Sequence, residues 1–222
     1  MSSQNLAESE NGRLCRELMY IRFGKCFVDF FVSGLVLVML TPVLLIVSII
    51  ILFKLGSPIL FRQQRPGLEG KPFILLKFRT MIDTRDSQGR FLPDKKRITR
   101  FGRFLRSISI DELPELINVL NDDMSIVGPR PLLMQYLDRY TLEQARRHEV
   151  KPGITGWAQV NGRNALTWED KFKLDVWYVD NQSLWLDLKI LAITVWEIFR
   201  REGINQPGQA TAEEFMGSQE RI

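Results

Sequence analysis

The chain has 222 residues, 45% hydrophobic and 25% charged, a balance that excludes a disordered tail or a low-complexity fibre and fits one modest domain. A mean hydropathy of −0.08 excludes a transporter or channel built mostly of spanning segments, so at most one stretch belongs to a membrane. Two cysteines, Cys15 and Cys26, and one histidine, His148, argue against a disulfide framework, a structural zinc quartet and a Ser-His triad, and for a reducing compartment. The net charge of +4 hides a segregation. Residues 1–53 are neutral, residues 54–106 carry 14 Lys or Arg against four acids for a net of +10, and residues 107–222 are at −6. A stretch at +10 beside an apolar segment points to phosphate chemistry or an anionic lipid surface. A solvated charged face is the alternative.

Residues 1–19 read as a polar tail and residues 20–55 as the membrane element. From Phe30 to Phe53 no residue is charged, and as a straight helix this run would reach about 36 Å, enough for a hydrocarbon core of about 30 Å. Thr41-Pro42 interrupts it. Proline removes one N–H and clashes with the carbonyl of Val38, which predicts a bend between two arms of roughly 17 Å, neither of which crosses alone. Arg13, Arg16, Arg22 and Lys25 precede the run and Lys54, Arg62 and Arg65 follow it, so both ends carry the bias of the cytoplasmic side. A re-entrant helix-break-helix fits that symmetry better than a kinked span, which proline in membranes also permits. The run is too long and too late for a cleaved signal peptide. Asp29 stands four residues after Lys25, a spacing for an ion pair.

Residues 56–205 read as a small mixed α/β catalytic domain, giving an α+β fold overall, and residues 206–222 as a C-terminal tail. Ile59 to Phe61 and Phe73 to Phe78 read as strands of a hairpin around Pro66-Gly67. Residues 83–97 read as an exposed loop, and residues 98–106 alternate cations and aromatics suited to a membrane interface. Leu113, Leu116, Ile117 and Leu120 have helical spacing over 111–120, with Ser109 and Glu112 in a capping-box pattern. Pro114 favours a start at Asp111 instead. Residues 127–131 form a rigid loop with Arg130 between Pro129 and Pro131, and residues 151–164 read as loop and short strand. Leu186 to Arg201 is an amphipathic helix, its apolar set including Ile198 and Phe199, for the membrane surface or for the core. All five tryptophans lie between Trp157 and Trp196, compatible with interfacial anchoring or with a stacking wall for substrate.

With so little histidine and cysteine, carboxylates are the available nucleophiles and bases. Asp111 and Glu112 are adjacent, and adjacent helical residues point about 100° apart, so divided roles are more natural than one shared proton. A carboxylate at a helix N-terminus is kept ionised as a nucleophile or metal ligand. Simple capping of the helix is the other reading. Arg103 and Arg106 just upstream suit bidentate phosphate contacts. Together these pieces suggest a nucleotide-diphosphate substrate with oxygen ligands for Mg²⁺. A P-loop and a dinucleotide-binding glycine motif are both missing from the sequence.

The blocks RPG (Arg65 to Gly67), KFRTM (Lys77 to Met81), RSISIDELPEL (Arg106 to Leu116), NVLNDDMSIVGPRPLL (Asn118 to Leu133) and RHEVKPGITGWAQVNGRN (Arg147 to Asn164), with the Thr41-Pro42 break, closely resemble the bacterial sugar transferase family. More narrowly, the chain resembles the small monotopic phosphoglycosyl transferases that start glycoconjugate assembly, the enzyme of bacterial N-glycosylation among them. The resemblance covers about residues 20 to 215. It implies transfer of a sugar-1-phosphate from a UDP-sugar to undecaprenyl phosphate, with release of UMP, through a covalent phosphosugar-enzyme. On the same ground Asp111 is the nucleophile, Glu112 assists with Mg²⁺ or proton transfer, and both are the expected metal ligands. Lys77 and Arg106 match cationic positions near the active site, Pro129, Arg130 and Pro131 the loop at the uridine end, and Asp175 and Asp187 acidic positions of open role. Arg79 stands where some relatives have lysine, which leaves its role open. An N-acetylated deoxyhexosamine is the expected sugar, the phospholipid bilayer the surroundings, the cytoplasmic face of a bacterial inner membrane the location, and no nucleic acid is a partner. Two rival readings are a polyprenyl-phosphate glycosyltransferase, which would release UDP, and a membrane-attached anion-binding protein without catalysis.

Overall fold

The computed structural model describes residues 24–162, 166–200 and 214–217, with the side chains of 198–200 left aside. The flanking cations Arg13, Arg16 and Arg22, Cys15, the 1–19 tail, Arg163 and Asn164, the side chains of Ile198 and Phe199, and Arg201 fall outside that description.

Helix α1 runs from Lys25 to Leu55 with Pro42 inside it. The expected break is therefore not an interruption of the helix. Thr41 Oγ1 donates to the Leu37 carbonyl at 2.8 Å, the local back-bond by which a hydroxyl accommodates disturbed backbone in an apolar helix. Phe27, Phe30, Phe31, Leu35, Val38, Met39, Leu45, Ile46, Ile49 and Phe53 are exposed on α1, whereas its buried positions are Lys25, Asp29, Ser33, Val47, Ile51 and Leu55. Polar residues inward and large apolar residues outward invert the pattern of a water-facing helix. Ser33 and Val47 are about 3.9 turns apart, so both buried sets lie on one side.

The Lys25/Asp29 pair expected from spacing does not form a salt bridge. Lys25 instead pairs with Asp187, and Asp29 Oδ1 accepts from the Ile126 N–H at 3.3 Å. Tertiary partners displaced the local one.

β1 (Leu60–Pro66) and β2 (Pro72–Phe78) form the expected antiparallel hairpin, with Pro66 opposite Pro72 and Phe61 opposite Lys77. Alternation along β2 sends Phe73 and Leu75 into one core cluster with Val119 and Met124. Phe78 enters another with Val47, Ile51, Leu55 and Leu105. After a loop and one helical turn at Asp94–Arg97 comes α2 (Arg100–Ser107), capped by Thr99 Oγ1 accepting from the Gly102 N–H. It leaves Arg100, Arg103 and Phe104 exposed.

The helix expected from Asp111 starts later. Ile110–Glu112 form a 3-10 turn, and α3 spans Glu115–Leu120 with Pro114 as its N-cap. At the N-cap Pro114 has no intrahelical hydrogen bond to donate, and its φ of −61° suits the entry to the helix. Ser109 makes no capping-box bond and adopts φ 55°, a left-handed conformation that is strained for a side chain other than glycine or asparagine.

β3 (Ser125–Val127) pairs in parallel with β4 (Gly153–Thr155). A Cβ on Gly153 would lie 2.0 Å from the Gly128 nitrogen, so this close backbone approach needs glycine. A helical turn at Trp157–Val160 follows. Then come α4 (Trp168–Asp180), which the sequence reading did not anticipate, and α5 (Leu184–Arg200), which it did. The tryptophans divide: Trp157 stacks on Trp177 at 5.2 Å and Trp168 joins an aromatic cluster, while Trp185 and Trp196 are exposed on α5. Within the stretch read as a tail, Phe215 is buried among Tyr136, Tyr140, Trp168 and Phe172. Its N–H donates to Tyr136 Oη at 3.1 Å, and Arg139 donates to its carbonyl.

Candidate active site

Three structures converge on one place: the end of β2, the 3-10 turn with the start of α3, and the loop after β3. Lys77 Nζ lies 2.6 Å from Glu112 Oε1 and 3.0 Å from Glu115 Oε1. Arg130 grips the same Glu112 with two donors, one at 3.4 Å to Oε2 and a closer one to Oε1. Burial alone would raise the carboxyl of Glu112, but Arg130 and Lys77 outweigh it and hold it well below the usual range. The guanidinium of Arg130 is reciprocally raised, by the Glu112 charge first.

Asp111 is treated differently. It is buried, and among the described residues its carboxylate has no hydrogen bond or salt bridge. Burial first, and the charge of Glu112 second, push its pKa up to about 6, against the opposing pull of Lys77, Arg106 and Arg130. Its ionised form at neutral pH is thus under-solvated, as a carboxylate suited to attack should be. Glu115 is pushed to about 7, by burial and again by Glu112.

Backbone packing sets the cations. On α2, a Cβ at Gly102 would lie 2.0 Å from the Thr80 carbonyl, so only glycine lets α2 press so closely on Thr80. That contact brings Arg106 Nε to 3.1 Å from Thr80 Oγ1. Each carbonyl of Pro129-Arg130-Pro131 accepts a bond: from the Gly153 N–H at 3.0 Å, from Arg147 Nη2 at 2.8 Å and from Arg65 Nη1 at 3.5 Å. Arg147 is itself buried and bound through Nε and Nη2 to Asp175 Oδ2, at 3.1 and 2.7 Å.

The structure thus brings Lys77, Arg106, Asp111, Glu112 and Arg130 together. Arg79 is turned away, to the carbonyls of Met81 and Ser57 and to Asp83 at 2.9 Å. Asp175 reaches the cluster only through Arg147. Asp187 accepts from Tyr178 at 2.7 Å and pairs with Lys25, which ties α5 to α1. Glu115, Arg65 and Arg147 were missed as site residues. The first stands three residues after Glu112, and the other two sit inside quoted motif blocks, so the signal was present without a role attached.

For the expected Mg²⁺, no three His, Cys, Asp or Glu side chains among the described residues form a ready cage. The donor chemistry nonetheless fits. Asp111 is free of hydrogen-bond and ion-pair partners among the described residues, Glu115 Oε1 is met by Lys77 at 3.0 Å, and Mg²⁺ is commonly held by one or two carboxylates with substrate phosphates completing the shell. Glu112 is already occupied by two cations, so Asp111 and Glu115 suit the ion better than the Asp111 and Glu112 pair read from sequence.

Fold and site define a class: a small α+β domain carrying one exposed apolar helix, with a carboxylate cluster compensated by cations beside it. The sequence model of the bacterial sugar transferase family matches residues 20–201, and the chain belongs to that family. It is 64% identical over 178 residues to the uncharacterized sugar transferase EpsL of Bacillus subtilis, a match covering 77% of this chain and 88% of that protein. It is 41% identical over 181 residues to a UDP-glucose:undecaprenyl-phosphate glucose-1-phosphate transferase of Klebsiella pneumoniae, covering 77% of this chain and 39% of the relative. With the undecaprenyl-phosphate galactose phosphotransferase of Salmonella typhimurium it shares 37% over 202 residues, covering 82% and 42%. The chain therefore spans most of the Bacillus protein and well under half of the other two.

Proposed function

We propose that the chain transfers a sugar-1-phosphate from a UDP-sugar to undecaprenyl phosphate, releasing UMP, by way of a phosphosugar adduct on Asp111. The observation that carries this reading is the contrast within one dipeptide: Glu112 neutralised by Arg130 and Lys77, Asp111 buried with no partner. The activities named for the Klebsiella and Salmonella relatives support the same reaction. In the first half, an Asp111 oxygen bonds to the phosphorus bearing the sugar while the bond from that phosphorus to the UMP oxygen breaks, and UMP departs with the electron pair. In the second, a phosphate oxygen of the lipid bonds to the same phosphorus, breaking the acyl phosphate and restoring the carboxylate. Lys77, Arg106 and Arg130 offset the phosphate charge in both. A Mg²⁺ held by Asp111 and Glu115 would supply further charge neutralisation at the diphosphate.

We place α1 as a re-entrant element with the domain at the cytoplasmic face, and the packing of α1 supports the re-entrant part of that reading. Its first turns rest on α5, β3 and α3 through Lys25, Asp29 and Gly34, and its last on β2 and α2 through Val47, Ile51 and Leu55. Both ends therefore rest on the same globular unit. The exposed Trp185 and Trp196 of α5 and Phe104 of α2 suit a headgroup depth at which the lipid phosphate is met.

The test is incubation of the full chain with undecaprenyl phosphate, Mg²⁺ and a panel of UDP-sugars that includes glucose, galactose and N-acetylated deoxyhexosamines, with nucleotide product measured. UMP is expected, UDP would favour the glycosyltransferase reading, and no turnover with any sugar would sink the proposal. Asp111→Asn is expected to lose at least about 10³-fold in turnover, together with the adduct seen on that residue by mass spectrometry.

A further inference from the structure

Most cations around the site can be matched with carboxylates. Arg130 has Glu112, Lys77 has Glu112 and Glu115, and Arg147 has Asp175. Arg106 donates through Nε to the Thr80 hydroxyl instead, at 3.1 Å, and Arg65 is left over as well. It is half-buried at the end of β1, and no carboxylate among the described residues lies within ion-pair distance of it. Its Nη2 donates to Gln63 at 2.7 Å, its Nη1 makes only a long 3.5 Å contact with the Pro131 carbonyl, and its Nε is buried with no partner. Burial and the neighbouring charge of Arg130 both hold its pKa down. Two guanidiniums side by side, one with an unused buried donor, describe a place that an anion would stabilise.

Its position says which anion. Arg65 is opposite Phe73 and Lys77 opposite Phe61, so both cations stand on one face of the hairpin, four positions or about 13 Å apart along it. Side chains of this kind reach about 6 Å each, so their tips can close on a single diphosphate from opposite ends. Lys77 is at the Asp111 end, and Arg65 is at the other, beside Pro66 and the Pro129–Pro131 loop that line one shallow depression.

We propose that Arg65, acting with Arg130, binds the nucleoside-side phosphate of the donor, the one that departs in UMP, and not the phosphate transferred to Asp111. The inference rests on the reading of the site as one for a UDP-sugar. An arginine there would recognise donor and nucleotide product alike and have no contact with the lipid phosphate in the second half-reaction.

The test uses the full-length wild type, Arg65→Gln and Arg65→Lys in detergent. UMP affinity is measured by calorimetry, and the two KM values are measured from UMP release. For Arg65→Gln, the donor KM and the UMP Kd are expected to rise together by about 10- to 100-fold, with the undecaprenyl phosphate KM unchanged and part of the loss recovered in Arg65→Lys. Donor KM and UMP Kd within twofold of wild type would overturn the inference, and so would a parallel rise in the lipid KM with a fallen Tm, which marks a structural role. Wild type that uses UDP-sugars while Arg65→Gln is unaffected overturns the role of Arg65 alone; wild type that neither binds nor releases UMP overturns the reading of the site and this inference with it.

Discussion

Between Asp111 and Glu112 burial acts alike, and neighbours decide the outcome. Two cations reach Glu112 and none reaches the Asp111 oxygens, so one carboxyl is held low and the other is pushed to about 6. Different surroundings for the two carboxyls were legible from adjacency alone, because neighbouring side chains on any helical turn diverge. The parts of Arg65, Glu115 and Arg147 were not legible, since they depend on partners distant in sequence, Lys77 for Glu115 and Asp175 for Arg147, or for Arg65 on the absence of a carboxylate. His148 makes a titration prediction at this scale. Burial first, then the charge of Arg147, bring its pKa down to about 4, below its ordinary value of about 6.5. The unfolded chain therefore binds a proton before the folded one does, and this residue costs stability as pH falls from about 6.5 towards 4 while being neutral in effect above that window. Between pH 7 and pH 5 the Tm of wild type is expected to fall further than that of His148→Gln; equal falls would show that the imidazole is not linked to folding.

At the scale of elements, the hairpin and α5 were readable because alternation and helical spacing are carried by apolar residues. Helix α4 was not, and its buried set explains why. Phe172, Asp175, Val176 and Tyr178 include a carboxylate, so the apolar stripe is broken where Arg147 reaches in. The start of α3 was read too early: Pro114 pointed to a start at Asp111 with proline inside the first turn, whereas Pro114 is itself the N-cap and a separate 3-10 turn holds Ile110–Glu112. Helix α1 joins the domain through the buried Lys25–Asp187 pair. Removing one partner of such a pair leaves a charge without compensation, costing about 3–5 kcal/mol. Asp187→Asn is thus expected to lower Tm by about 10 °C, and Lys25→Met combined with it to restore most of that. No recovery in the double variant would mean that Asp187 acts through Tyr178 instead.

For the whole molecule, the near-average hydropathy and small net charge are sums over unlike parts: an apolar helix, a +10 segment that supplies Lys77 and Arg106, and an acidic remainder that supplies Asp111, Glu112 and Asp175. The site lies where the last two meet. Both ends of α1 rest on one globular unit, so single cysteines placed at Gly24 and at Ser57 are expected to react with an impermeant thiol reagent from the same side of sealed vesicles. Labelling from opposite sides would mean a spanning helix. The buried Phe215 bears on where the domain stops. A boundary drawn at residue 201, where the family match ends, would leave Tyr136, Tyr140, Trp168 and Phe172 facing a hole the size of a benzyl group. Two of those rings, Tyr140 and Phe172, also lie under the Arg147 guanidinium. The unit that holds the Arg130 loop in place therefore reaches past residue 201, and Phe215 is part of its packing.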